Sequence, residues 1–374
     1  MTDLSDESNR LIADESLIDL VNTKQVIIMT GSGGVGKTSC AAALAIGASL
    51  VGIDTCVVTI DPAKRLADAL GLDEIGNDPV EIQTLGQGKL YAVMLDADAT
   101  FDDLIVRYAN SPDQAEKILA NTVYQNLTKN LSGIQEYMAM EKLFELHNDN
   151  RFKLLIVDTP PSANALDFLD APRRLIGFLD NKVFRVIMNT GPSFLKPVSF
   201  ATKAVLKAIS RVVGAEVVDQ AVAFFQDFEG MQDGFRARAE IVQELLRQDQ
   251  TAFVLVTSPR GDTIQEAQEF GLKLIGFGFR IAGLISNRET PDFEKTRISY
   301  GPEIDVEQHD RKILSQTLTE MKDLRSHEQL QLTKLTRKLE PPRLVHIPTL
   351  LRDVANMEDL AQVAKHLLSE NKKT

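Results

Sequence analysis

Apolar and polar positions divide the chain into short buried strands and longer amphipathic helices. Val26-Ile27-Ile28-Met29 is a continuous apolar run, followed after a glycine-rich break by Ala41-Ala42-Ala43-Leu44-Ala45-Ile46. A short apolar run bounded by turn residues reads as a strand buried on both faces, and the stretch from Lys37 to about Leu50 reads as a helix. The same pattern predicts strands at 55–60, 90–95, 153–158, 253–257, 280–287 and 344–348. Helical spacing covers about 97–147, about 172–247, about 263–275, 308–339 and a last segment beyond Pro348. Strands alternating with helices predict an α/β fold, a doubly wound and mostly parallel sheet. The two long helical stretches, 97–147 and 172–247, predict an inserted helical subdomain. In the second, Val205, Ile209, Val212 and Val213 share a face, as do Val222, Phe225 and Phe228. Eight of the 17 phenylalanines lie between Phe178 and Phe235, which fits either the core of that subdomain or an apolar groove for a hydrophobic partner.

The break after the first strand is Gly31-Ser32-Gly33-Gly34-Val35-Gly36-Lys37-Thr38, with Ser39 next to it. Strand, glycine turn and helix in that order form the context of a phosphate-binding P-loop. Glycines let successive backbone N–H groups curl toward phosphate oxygens, and the helix N-terminus adds partial positive charge. Lys37 then reaches the β- and γ-phosphates, and the Thr38 hydroxyl ligates Mg²⁺. The bland alternative is a flexible glycine turn, but all eight positions and both flanks fit the loop.

In an open parallel sheet, ligands lie outside the carboxyl ends of the strands, so Asp61, which ends the second strand, faces the same pocket as Lys37. Asp158 closes four apolar residues and reads as the Walker B acid that holds Mg²⁺. Thr159-Pro160-Pro161 after it is a stiff turn where a loop can sense the γ-phosphate. Asn287, at another strand end, offers both a donor and an acceptor to an adenine edge.

Composition narrows the reading further. Hydrophobic content of 44% and charged content of 25% over 374 residues are those of a globular protein with a large core. A net charge of −12 argues against bulk nucleic-acid binding, which rests on clustered Lys and Arg. The start, Met1-Thr2-Asp3-Leu4-Ser5-Asp6-Glu7, has neither the basic region nor the apolar run of a signal peptide, so a cytoplasmic location is expected. Residues 1–20 read as a mobile acidic arm and 21–374 as a single P-loop domain. Cys40 and Cys56, the only two cysteines, read as buried core thiols.

With these elements placed, the chain resembles the ArsA-type ATPases, which include the arsenite-pump ATPase and the eukaryotic ATPase that targets tail-anchored membrane proteins. The resemblance is carried by the P-loop, Asp61-Pro62-Ala63, Asp158-Thr159-Pro160-Pro161-Ser162, Ser286-Asn287 and Ile347-Pro348-Thr349-Leu350. It implies an ATPase using ATP and Mg²⁺, with Asp61 as the switch I acid that positions the attacking water and Asp158 as the switch II acid. It also implies that Asn287 reads adenine while Pro348 to Leu350 flank the base. Family members work as two nucleotide domains face to face. A single P-loop therefore implies a homodimer, or a heterodimer with a paralogue, and the helical stretch matches where targeting members bind a hydrophobic, membrane-associated client.

The chain departs from the family at defined positions. Ser32 stands where the signature lysine reaches across to the partner's phosphates, so Lys64 or Arg65 is expected to supply the missing charge. Ala163 replaces a glycine of the switch II motif, and the paired cysteines for an intersubunit zinc are absent. Arsenite needs sulfur ligands, which two core cysteines do not provide, so arsenite is not expected as a ligand. Two other readings share the nucleotide core: a MinD/ParA-type positioning ATPase, and a weakly hydrolysing nucleotide-binding subunit of a heterodimer.

Overall fold

The computed structural model describes residues 16–60, 65–83, 86–130, 134–160, 162–180, 215–228, 230–293, 308–354 and 356–369. The predicted apolar runs are strands β1 (Val26–Gly31), β2 (Thr55–Thr59), β4 (Leu90–Met94), β5 (Leu154–Asp158), β6 (Thr251–Thr257), β7 (Ile281–Glu289) and β8 (Leu344–Pro348). A three-residue strand, β3 (Val80–Ile82), joins them unannounced by any apolar run. One eight-stranded sheet results, in the order β3-β4-β2-β5-β1-β6-β7-β8. β2, β5, β1, β6, β7 and β8 pair in parallel, and β3 pairs antiparallel with β4. β1, β2 and β5 are buried at every position, as expected where helices cover both faces of a parallel sheet.

The chain folds as two compact units. One comprises Met1–Val93, Asn150–Ala165 and Asp249–Thr374, and the other Met94–Asp149 and Leu166–Gln248.

The first unit holds the whole sheet except the final residue of β4. Its helices include α1 (Ile18–Thr23), α2 (Lys37–Leu50) and α3 (Arg65–Leu70). α2 covers the central strands with an almost entirely buried run of small residues. Near its far end Gly47 lets a C-terminal helix come close, because a Cβ there would lie 2.5 Å from Leu368 Cδ1. That helix, Met357–Leu368, begins with an Asn356 side chain accepting from the Asp359 N–H at 3.0 Å. It buries Leu360, Val363, Ala364 and Leu367. The expected arm to residue 20 is folded from Ser16 onward: Leu17 is buried, its N–H donates to the Leu367 carbonyl at 2.8 Å, and Ser16 Oγ donates to that of Leu368 at 3.0 Å. Residues 1–15 lie outside the described residues.

The second unit is helical. The stretch expected over 97–147 is four helices, α4 (Ala97–Tyr108), α5 (Pro112–Ala120), α6 (Thr122–Asn130) and α7 (Ile134–His147). Local caps set the start of the stretch and its first break. Asp96 accepts from Ala99 N–H at 3.0 Å, and Ser111 caps a helix whose first residue is Pro112. The chain continues with α8 (Ser162–Leu179), α9 (Ala215–Asp227) and α10 (Gln232–Leu245). Phe101, Tyr124, Phe224, Phe228 and Phe235 meet in its core, with ring centroids 5.1 to 6.2 Å apart between neighbouring rings. Of the clustered phenylalanines whose side chains are described, Phe224, Phe228 and Phe235 are interior and Phe225 is partly so. Of the face predicted from Val222, Phe225 and Phe228, only Phe228, one residue past α9, is buried; Val222 and Phe225 are half-buried, and Phe224 takes the interior position on the helix. The face predicted from Val205 to Val213 lies outside the described residues.

The remaining helices of the first unit are α11 (Gly261–Gly276), α12 (Gln308–Leu339) and α13, the Met357–Leu368 helix above. α12 matches the long charged helix expected from its sequence. Among the described residues, no helix is long and apolar enough to cross a membrane.

A candidate phosphate site at the ends of β1, β5 and β7

The loop from β1 to α2 is shaped by glycines at positions no other residue fits. Gly31 has φ of 151°, and a Cβ there would lie 2.1 Å from the Val256 carbonyl oxygen of β6. Gly36 has φ of 89° and caps α2 in the left-handed region, where a Cβ would meet Asn287 Nδ2 at 2.4 Å. α2 starts with no side-chain cap and no acid in its first turn, so its leading N–H groups keep their partial positive charge.

Lys37, the first residue of that helix, is 8% exposed and donates from Nζ to the Ser32 carbonyl at 3.1 Å. Ser32 is buried, and its hydroxyl has no hydrogen-bond partner among the described residues. Thr38 Oγ1 donates to Asp158 Oδ2 at 2.6 Å, and Thr59 Oγ1 donates to the same oxygen at 3.3 Å. Strand register causes this convergence, because β5 aligns Asp158 with Met29 of β1 on one side and Thr59 of β2 on the other. Thr159 follows and ties back through its hydroxyl to the Met29 carbonyl at 2.9 Å. A cleft of about 520 Å³ opens here, lined by the loop backbone, Lys37, Thr38, Ser39, Arg65, Thr159 and Arg288.

Cys40 lies one turn into α2. Burial pushes its thiol up to about 12, with Asp158 adding to the shift and Arg288 opposing it, which leaves a neutral core thiol. Cys56 is buried in β2.

The predicted site residues fall as follows. Gly31, Ser32, Gly33, Gly34, Val35, Gly36, Lys37, Thr38 and Ser39 form the loop and helix start, with Asp158 against Thr38. Asn287 ends close by, but its amide faces the loop: Nδ2 donates to the Val35 carbonyl at 2.8 Å, and Oδ1 accepts from Arg288 N–H at 3.0 Å. Pro348 closes β8 and Leu350 lies two residues on, in the segment that brings Val354 to the cleft. Asp61 and Lys64 lie outside the described residues, whereas Arg65 opens α3 at the cleft wall.

Sequence patterning did not single out Arg288, Asp68, Ala69 or Val354, which also line the cleft. Only Arg288 carried a signal, a cation directly after a strand-end asparagine.

The donors suit a nucleoside triphosphate with Mg²⁺. Backbone N–H groups at an uncapped helix start suit phosphate, and the Thr38 and Asp158 oxygens suit a hard cation that takes its remaining ligands from phosphates and water. A parallel sheet with this loop between its central strand and first covering helix defines the P-loop α/β class. A family model of anion-transporting ATPases, the ArsA family, matches residues 24–369, and the chain belongs to that family of ATPases. "ATPase get3" of Aspergillus terreus is 24% identical over 280 residues, 74% of this chain and 77% of that protein. "ATPase GET3C" of Arabidopsis thaliana is 26% identical over 292 residues, 73% of this chain and 69% of that protein. "ATPase ARSA1" of Chlamydomonas reinhardtii is 28% identical over 287 residues, 71% of this chain, and the match spans about a third, 34%, of that protein's length.

Proposed function

We propose that the chain is a Mg²⁺-dependent ATPase acting as a nucleotide-driven dimeric switch, which binds a hydrophobic or membrane-associated protein client through its helical unit. The observation that carries the reading is the Thr38–Asp158 pair at 2.6 Å beside an uncapped α2 and a nearly buried Lys37. In this reading Lys37 and the loop amides hold the β- and γ-phosphates, while Thr38 and Asp158 hold the cation. Mg²⁺, when bound, neutralises the phosphate oxygens as charge develops on them. Asp61 orients the attacking water, and Asn287 with Pro348 and Leu350 borders the base.

The dimer and the client are inferred from the resemblance to the family. Relatives named GET3 match over most of their length, which supports placing the chain with the targeting members of the resemblance. A weakly hydrolysing subunit of a heterodimer is a second reading, favoured by Ser32 at the position of the signature lysine. A membrane-positioning role through a C-terminal amphipathic helix is disfavoured, because the apolar stripe of α13 is already buried.

Phosphate release from Mg·ATP, together with light scattering in a non-hydrolysable analogue, tests the proposal. Turnover that needs Mg²⁺ and Lys37, and a mass that doubles with nucleotide, are expected. Binding without turnover moves the chain to the second reading, and no binding at millimolar Mg·ATP removes both.

A further inference from the structure

Among the described residues, two that are not glycine have positive φ, Arg288 at 61° and Glu340 at 45°. A left-handed arginine is strained, and such strain persists only where its surroundings over-determine it. Here they do. The β7–β8 register runs Asn287↔Ile347 and then Glu289↔Pro348, so β7 spends two residues where β8 spends one. Arg288 is the extra residue of a β-bulge, a device that re-aims one side chain while the strand continues.

Both neighbours are held. On one side Asn287 donates to the Val35 carbonyl and accepts the Arg288 N–H. On the other, buried Glu289 accepts from His346 Nδ1 at 2.7 Å and lies 3.8 Å from Arg325 Nη1. Thr290 is fixed in turn by Glu328, through its N–H and its hydroxyl, both at 2.9 Å. The bulge thus turns the Arg288 guanidinium to the P-loop, where Nη1 donates to the Gly34 carbonyl at 3.3 Å and the side chain lines the cleft beside Lys37 and Thr38. A guanidinium carries five N–H donors in a planar fork suited to phosphate, so contact with one carbonyl leaves capacity for a ligand. The loop itself carries serine, not lysine, at position 32.

We infer that Arg288 is a phosphate-contacting cation of the nucleotide site, delivered from the same chain by a one-residue bulge in β7, and that it provides positive charge the loop lacks at Ser32. The inference rests on the nucleotide-site reading above.

The test uses the full chain with two probes, Mg·ATP by calorimetry and inorganic tripolyphosphate by competition, on wild type, Arg288→Ala, Arg288→Gly, Arg288→Lys and Lys37→Ala. Arg288→Ala and Arg288→Gly are expected to weaken both probes about 10- to 100-fold, the range of charge-assisted hydrogen bonds. Arg288→Lys should lose less, because it keeps the charge without the fork. Glycine accepts positive φ, so the melting temperature of Arg288→Gly should hold or rise by a few degrees. Unchanged affinities overturn the inference. So does weakened ATP with unchanged tripolyphosphate, which moves Arg288 to the base, and so does affinity loss that tracks a lowered melting temperature in Arg288→Gly, the sign of a merely structural tether. Failure of the underlying site is distinguishable, because then wild type does not bind Mg·ATP, or Lys37→Ala binds it as wild type does.

Discussion

The interior of the helical unit and the phosphate site of the sheet unit bury polar groups in opposite ways. In the helical unit, Glu141 lies in the interior and its needs are met internally: Tyr137 Oη donates to Oε1 at 2.5 Å, and Arg238 Nε donates to Oε2 at 2.8 Å. Arg238 in turn lies 3.9 Å from the centroid of the Phe144 ring. In the sheet unit, Ser32, Lys37, Thr59, Asp158 and Thr159 are buried together at strand ends around an uncapped helix, and the Ser32 hydroxyl has no partner among the described residues. A satisfied buried charge serves the fold, whereas donors brought together and left uncapped are suited to something that binds.

The sharpest way to break this contrast is Arg238→Ala. It leaves Glu141 buried without its cation and should cost the helical unit about 3–5 kcal/mol in urea unfolding, while Mg·ATP affinity below the unfolding range stays within about twofold of wild type. A loss under about 1 kcal/mol would make the clasp no more than a surface pair. The converse substitution, Lys37→Ala, should lower Mg·ATP turnover by about 10²–10³-fold, roughly 3–4 kcal/mol in the barrier, with little change in thermal midpoint. If folding stability falls and turnover does not, Lys37 belongs with Glu141 as a structural charge.

Smaller effects sharpen the picture. Gly36→Ala puts a side chain at φ of 89° and crowds Asn287 Nδ2, so a cost of about 1–3 kcal/mol is expected by thermal denaturation, together with weaker nucleotide binding. The least change is expected at Cys40. Because burial pushes its thiol up to about 12 and shuts out the reagent, iodoacetamide at pH 8 should leave it unlabelled in the folded protein and label it in urea. Ready labelling of the native chain would mean that α2 opens far more easily than its packing implies.

Local signals made the centre of the sheet unit legible. Val26 to Met29, the glycines after it and the alanine-rich helix are contiguous, and Asp158 is flagged by the apolar run it ends. Features set by distant pairing were harder to read. β3 is three residues long at an edge, and two of them are exposed, so it has almost no apolar pattern. The strain at Arg288 arises only because β8, almost 60 residues later, pairs one residue short. Asn287 was legible as a polar strand end, but its engagement with Val35 depends on how closely Gly36 allows β7 and the loop to approach. The helical stretch was legible as helical; its start at Asp96 and its first break at Ser111 fall on capping residues with a plain sequence signature.

α2 is 14 residues long, about 21 Å at 1.5 Å per residue. One end begins at Lys37; near the other, Gly47 seats Leu368, whose carbonyl accepts from Ser16 while that of Leu367 accepts from Leu17. Ser16 and Leu17 are thus moored to the helix that seats on the far end of α2, the rod whose other tip, Lys37, lines the cleft.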